Sequence, residues 1–365
     1  MCLKKIQLEH LHKKLNAKMI SFSGFLMPLY YEGIVREHNH VRNNVGVFDV
    51  SHMGQIFIEG KEATNLIQKV SSNDISLVET NGVQYSYLPN QKGGVIDDLL
   101  IYKFHINKYM LVVNASNIKK DFEWIKSHNK FKANVMDLSN EFSLFSIQGP
   151  NSLKVLNKLL ECNLEKLDYY KFINTKSINN KNILISNTGY TGSMGFEIYI
   201  NNIDAESIWS LIFELGKEFD IRPIGLGARD SLRLEMGYCL YGNELTDEIS
   251  PFESGLGWIT KIETNFINSK NLKLSKENGL KRKKIGFIVM ENKIARKGFE
   301  IFANEDDKNI GHVTSGIFSP TLNKPIGLAI VDIDYSSLGE HIYILIRNKK
   351  ILAKIVSLPF YKAND

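Results

Sequence analysis

The sequence predicts an α+β protein that ends in a separate all-β domain, and three observations lead there. Over the first two thirds of the chain, apolar runs of strand length alternate with stripes at helical spacing. Beyond Lys281-Arg282-Lys283-Lys284, short strands recur between turn signals without helical periodicity, the pattern of a small barrel or sandwich. At 365 residues the chain is long enough for two or three domains with a substantial core.

The elements follow in order. A strand is expected over 55–59, and Ala63, Leu66, Ile67 and Val70 make one face of a helix. A Gly93-Gly94 turn opens a strand through Tyr102, and Tyr109-Met110-Leu111-Val112-Val113 reads as the next strand, ending at Asn114. A strand over 142–147 precedes Pro150, which opens a helix carrying Leu153, Leu156 and Leu160. Strands over 183–186 and 196–200 lead to Asp204, the expected cap of a helix bearing Ile208, Leu211, Ile212, Leu215 and Phe219. Five strands are expected later, over 285–290, 310–314, 326–333, 341–346 and 351–356. The basic run before them reads as a solvated interdomain hinge or a docking surface.

Composition bounds the function. With 43% hydrophobic and 23% charged residues the chain is an ordinary soluble protein. The start Met1-Cys2-Leu3-Lys4-Lys5-Ile6 has no apolar leader and no segment is apolar enough to span a bilayer, so a cytoplasmic location is expected. Cys2, Cys162 and Cys239 show no paired spacing and the histidines form no ligand set, so neither a disulfide framework nor a metal site is expected. A net charge of +5 favours an anionic small molecule or an acidic protein partner over nucleic acid.

The chemistry-bearing residues stand in three places. Asp97 and Asp98 lie inside an apolar strand, where alternation sends them to opposite faces and groups Asp98 with Leu100 and Tyr102. Either carboxylate can instead serve backbone donors of the turn. Thr188-Gly189-Tyr190-Thr191-Gly192-Ser193-Met194-Gly195 leads into a strand with Glu197 between Phe196 and Ile198, so Glu197 faces a cleft or solvent. These glycines precede a strand and not a helix, which excludes a phosphate loop. Gly225-Leu226-Gly227 opens a helix with Arg229 near its start, suited to an anionic or carbonyl-bearing ligand, or else paired with Glu235 or Asp230.

Taken with Val45-Gly46-Val47-Phe48-Asp49-Val50-Ser51-His52-Met53-Gly54, Val113-Asn114-Ala115, Ile147-Gln148-Gly149-Pro150, Gly237-Tyr238-Cys239-Leu240-Tyr241-Gly242 and Val313-Thr314-Ser315-Gly316, these motifs resemble, nearly end to end, the glycine cleavage T-protein family of aminomethyltransferases. The resemblance implies a three-domain cloverleaf: two interwoven α+β subdomains over 1–278 that bind folate, and a C-terminal small β-barrel over 279–365. It implies tetrahydrofolate as co-substrate, no metal, and a lipoylated H-protein as partner, with the P-protein and L-protein engaged only indirectly. Neither nucleic acid nor membrane is implied as a partner. The catalytic residue it implies is Asp98, with folate contacts at Met53, Tyr85, Tyr102, Asn114, Tyr190, Glu197, Arg229 and Tyr238, and a further contact near Tyr361 or Lys362. Alternatives are a non-catalytic folate-binding or assembly protein and a folate-dependent demethylase of the same fold. Three departures stand out: Ser193 where the family usually has Glu, Phe25 where it has Trp, and Asn268 where Gly is common.

Overall fold

A computed structural model describes residues 3–303 and 308–362 and divides the chain into two compact units. The first comprises Met1–Ile67, Ile75–Tyr85 and Leu99–Asp230; the second comprises Gln68–Asp74, Ser86–Asp98 and Ser231–Asp365. The architecture is α+β with a closed barrel, as the sequence predicts.

The first unit is organised on a six-stranded sheet in the order Phe172–Lys176, Asn182–Ser186, Gly195–Asn201, Phe142–Gln148, Gly46–Asp49, Arg222–Ile224. All neighbours are antiparallel except the last pair. Phe196, Ile198 and Ile200 alternate onto one face, where Ile208, Trp209 and Ile212 of the helix Ala205–Gly216 close the core. Glu197 and Tyr199 therefore point to the other face. A second sheet runs Gly82–Pro89, Val95–His105, Lys108–Val113, Gly54–Glu59, Asn134–Asp137. The stripe of the helix Ala63–Val70 is fully buried, as expected.

The second unit holds the barrel. Its strands close in the order Arg282–Val289, Lys324–Asp332, Asn309–Ser319, Glu300–Phe302, His341–Ile346, Lys349–Val356 around Ile285, Phe287, Val313, Val331, Ile344 and Ile355. Glu300–Phe302 is the strand that sequence pattern missed; three residues with a bulge after Ile301 are too few to show alternation.

Three local expectations are corrected. Lys281–Lys284 is no hinge, because Arg282 begins a barrel strand and forks onto Glu253 at 2.9 and 3.1 Å, while Lys284 Nζ donates to the Gly237 carbonyl at 3.2 Å. Asp204 precedes its helix without a side-chain capping bond, since its carboxylate pairs with Lys181 at 2.7 Å. That helix stops at Gly216, leaving Phe219 in a following 3₁₀ turn, and the helix after Pro150 begins at Ser152. Asn268 does take the left-handed conformation that glycine would favour, at φ 65°, and its amide donates to the Asn90 carbonyl. None of the described helices is long and apolar enough to cross a membrane.

Candidate active site

The glycine-rich turn is built around Gln148. A Cβ on Gly189 or Gly195 would lie 2.3 or 2.4 Å from the Gln148 side chain, so only glycine lets the chain close over it. The buried amide then holds the turn. Nε2 donates to the Thr188 carbonyl at 3.2 Å, and Oε1 accepts from Thr191 Oγ1 at 2.8 Å. Ser193 at the turn's tip accepts from Arg42 Nη1 at 3.0 Å, so the departure at this position is absorbed by a charge-assisted bond to a neutral hydroxyl.

Glu197 leaves this turn on the strand Gly195–Asn201 and is buried, not solvated as a lone strand glutamate would be. Thr188 Oγ1 donates to its Oε2 at 2.6 Å. Among the described residues this is the one hydrogen bond that the carboxylate receives, which leaves Oε1 for a ligand donor. Behind Thr188 stand Ser186 Oγ at 2.7 Å, Tyr102 OH at 3.0 Å from Ser186, and Tyr199 OH at 2.9 Å from Tyr102. Burial, and then the Glu197 charge, hold the Tyr102 phenol far above its ordinary range. Burial does the same to Tyr199.

Arg229 sits in the first turn of the helix Leu226–Glu235, its guanidinium carbon 4.7 Å from the Tyr190 ring centroid. Its Nη1 is shielded from solvent and has no hydrogen-bond partner among the described residues. Desolvation pulls its pKa down, against the opposing charge of Glu197. The Glu235 carboxylate accepts from Ser319 Oγ at 2.5 Å and Thr321 Oγ1 at 3.0 Å.

A sharp turn at Asp49 precedes His52 and Met53. Asp49 Oδ1 accepts from Ser51 N at 3.0 Å, Oδ2 meets His12 Nε2 at 2.9 Å, and Tyr31 OH lies 2.8 Å from His12 Nδ1. His52 packs edge-on to Phe22 and Phe25 with centroids 5.6 and 6.3 Å away, so Phe25 serves here as an apolar wall. Burial, and then the Arg229 charge, push the His52 pKa down to about 3.

That ring makes stability pH-dependent. Below the ordinary histidine value near 6.5 and down to about 3, the unfolded chain binds a proton that the folded chain refuses, so stability falls as pH falls. Its share of the loss between pH 6.5 and 5 is about 1.5 kcal/mol. Urea unfolding at both pH values should show a shallower dependence for His52→Gln than for the wild type. Identical slopes would remove His52 as the cause.

Among the expected site residues, the structure gathers Tyr102, Tyr190, Glu197 and Arg229 in the first unit. Tyr102 is fully buried. Met53, Tyr85 and Asn114 belong to the same unit and are each half-buried. Met53 and Asn114 are held by backbone bonds, Met53 N to the Val50 carbonyl at 3.0 Å and Asn117 N to the Asn114 carbonyl at 2.9 Å. Asp98 and Tyr238 belong to the second unit and are half-buried, whereas Asp97 is wholly enclosed. Sequence reasoning gave no role to Gln148, Ser186, Thr188 or Tyr199; Thr188, at the head of the glycine-rich turn, was the one readable signal.

Residues 8–264 match the family model described as the GCVT N-terminal domain, and residues 282–362 match the glycine cleavage T-protein C-terminal barrel domain. The chain belongs to the glycine cleavage T-protein family. An aminomethyltransferase of Flavobacterium psychrophilum is 51% identical over 99% of this chain and 100% of that relative. One from Thermoanaerobacter pseudethanolicus is 46% identical over 99% and 98%. The crystal structure of glycine cleavage system aminomethyltransferase T from Bartonella henselae superposes with a TM-score of 0.92, at 32% identity and over 98% of each chain. The T-protein fold predicted by resemblance is thereby borne out, barrel included.

Proposed function

We propose that this chain, an aminomethyltransferase of the glycine cleavage system, moves the aminomethyl carbon from a lipoylated H-protein to tetrahydrofolate. The products are 5,10-methylenetetrahydrofolate, ammonia and the dihydrolipoyl arm, whose sulfur and departing amine take up the two protons lost from the folate nitrogens. The P-protein and L-protein act on the same H-protein and need no direct contact with this chain.

The observation that carries the folate reading is the Glu197 carboxylate, fixed through Oε2 and able to accept at Oε1. A pterin edge offers a ring N–H beside an exocyclic amine, and a carboxylate accepts both. Tyr190 and Arg229 stand beside it as a flat cationic and aromatic pair. In this assignment Met53, Tyr85, Tyr102, Asn114 and Tyr238 complete the folate site, with Tyr361 or Lys362 at the C-terminal end. The folate supplies the nucleophilic nitrogen. Asp98 provides negative charge where positive charge develops on nitrogen, and it handles the proton taken by the departing amine. Holding two substrates in line supplies much of the remaining acceleration. The folate-binding region extends over 1–278 and the barrel domain over 279–365, and the protein works in the cytoplasm.

Purified protein mixed with aminomethylated H-protein and tetrahydrofolate should release ammonia only when the folate is present. Folate binding without ammonia release would favour a non-catalytic folate-binding protein instead.

A further inference from the structure

A carboxylate at the end of a row of hydroxyls fixes which way every proton in that row points. An ionised carboxylate only accepts, and each hydroxyl has one proton to give. Thr188 spends its proton on Glu197 Oε2 at 2.6 Å. Ser186 must then donate to Thr188 at 2.7 Å, Tyr102 to Ser186 at 3.0 Å, and Tyr199 to Tyr102 at 2.9 Å. The competing contacts, Tyr102 to Thr188 and Ser186 to the Glu197 carbonyl, are both longer at 3.4 Å.

The fold builds this row deliberately in register. Ser186 lies directly opposite Glu197 on the neighbouring strand, Thr188 follows two residues after Ser186, and Tyr199 is two residues beyond Glu197 on the same face. Tyr102 arrives from the other sheet and packs edge-on to Tyr199, with centroids 5.5 Å apart. All four hydroxyl-bearing residues are buried.

We infer that Tyr199, Tyr102, Ser186 and Thr188 form a one-way hydroxyl chain that fixes the Glu197 carboxylate, making Thr188 and Tyr199 positioning residues for recognition of the pterin edge. This rests on the assignment of Glu197 to that edge. A chain polarised in one direction strengthens its terminal bond, so removing even the far hydroxyl is felt at Glu197. Tyr102, assigned to the folate site, also carries the middle of the chain through its hydroxyl. The chemistry recognised is a paired ring N–H and amine.

Tyr199→Phe removes one oxygen at the far end and keeps the ring. It should weaken tetrahydrofolate binding about fivefold, with kcat changed less than about twofold. Thr188→Val should weaken binding about 20-fold or more, because it removes a bond to a charged group, and Thr188→Ser should restore most of the loss. An analogue of tetrahydrofolate lacking the 2-amino group makes the test specific: Tyr199→Phe should cost little further affinity for it. A merely structural loss would burden both ligands equally.

If Glu197→Gln binds tetrahydrofolate as the wild type does, the pterin assignment fails and the inference falls with it. If Glu197→Gln binds weakly while Tyr199→Phe and Thr188→Val bind normally, the assignment stands and the chain alone is overturned. Should Thr188→Val fail to fold, Tyr199→Phe decides the matter.

Discussion

Asp98→Asn is expected to lower turnover by about a hundredfold or more while tetrahydrofolate binding is largely kept. The amide has nearly the shape of the carboxylate but neither its charge nor its proton affinity, so only the charge-developing step should suffer. Asp97 provides the control one residue away. Along the strand Val95–His105, Asp97, Leu99 and Ile101 form a buried face, while Asp98 and Leu100 on the other face are half-buried. Asp98 thus shares its face with Tyr102, four residues or about 13 Å further along. Asp97→Asn should show its effect mainly in stability, with a milder loss of turnover. Single-turnover ammonia release with saturating folate and aminomethylated H-protein separates the two variants, and equal losses in both would defeat the assignment to Asp98.

Sequence showed most where one element carries its own signal. Alternation separated Asp97 from Asp98, and the fully buried stripe of the helix Ala63–Val70 needed no partner to be recognised. The glycine-rich turn was visible as a motif, but its reason was not, because Gln148 comes from a strand more than 40 residues earlier. The same limit applies to the hydroxyl chain: Tyr102 reaches Ser186 across 84 residues and Tyr199 across 97. No local periodicity encodes such a meeting. The burial of Glu197 is beyond local pattern for a related reason. Strand alternation says that it opposes the core formed by Phe196 and Ile198, but cannot say that its own face is covered too. Lys281–Lys284 looked solvated as a charge run until Glu253 and the Gly237 carbonyl supplied partners from elsewhere in the chain.

Polar pairing also decides the environment of Arg233, which is almost fully buried against Glu244 at 3.1 Å. Ser315 stands between them, accepting from Arg233 Nη2 at 2.9 Å and donating to Glu244 Oε1 at 2.6 Å. Asn243 Nδ2 also reaches Ser315 Oγ, at 3.0 Å. The pair fixes the chain around Tyr238: Arg233 Nη1 donates to the Tyr238 carbonyl at 2.9 Å, Tyr238 N donates to the Arg233 carbonyl at 3.1 Å, and Leu240 N donates to Glu244 Oε2 at 3.0 Å. Arg233→Met keeps the length of the side chain and strands a buried carboxylate. It should cost about 3–5 kcal/mol in urea unfolding. Adding Glu244→Leu should return part of that loss, since the orphaned charge disappears, and with the Glu244→Leu single variant completing the cycle the coupling between the two residues is measured. The Tyr238 turn would still lack its clamps in the double variant. Stability and tetrahydrofolate affinity should therefore part company there, the first recovering and the second staying low. A double variant that regains both would show that Arg233 serves only the core and leaves Tyr238 where it was.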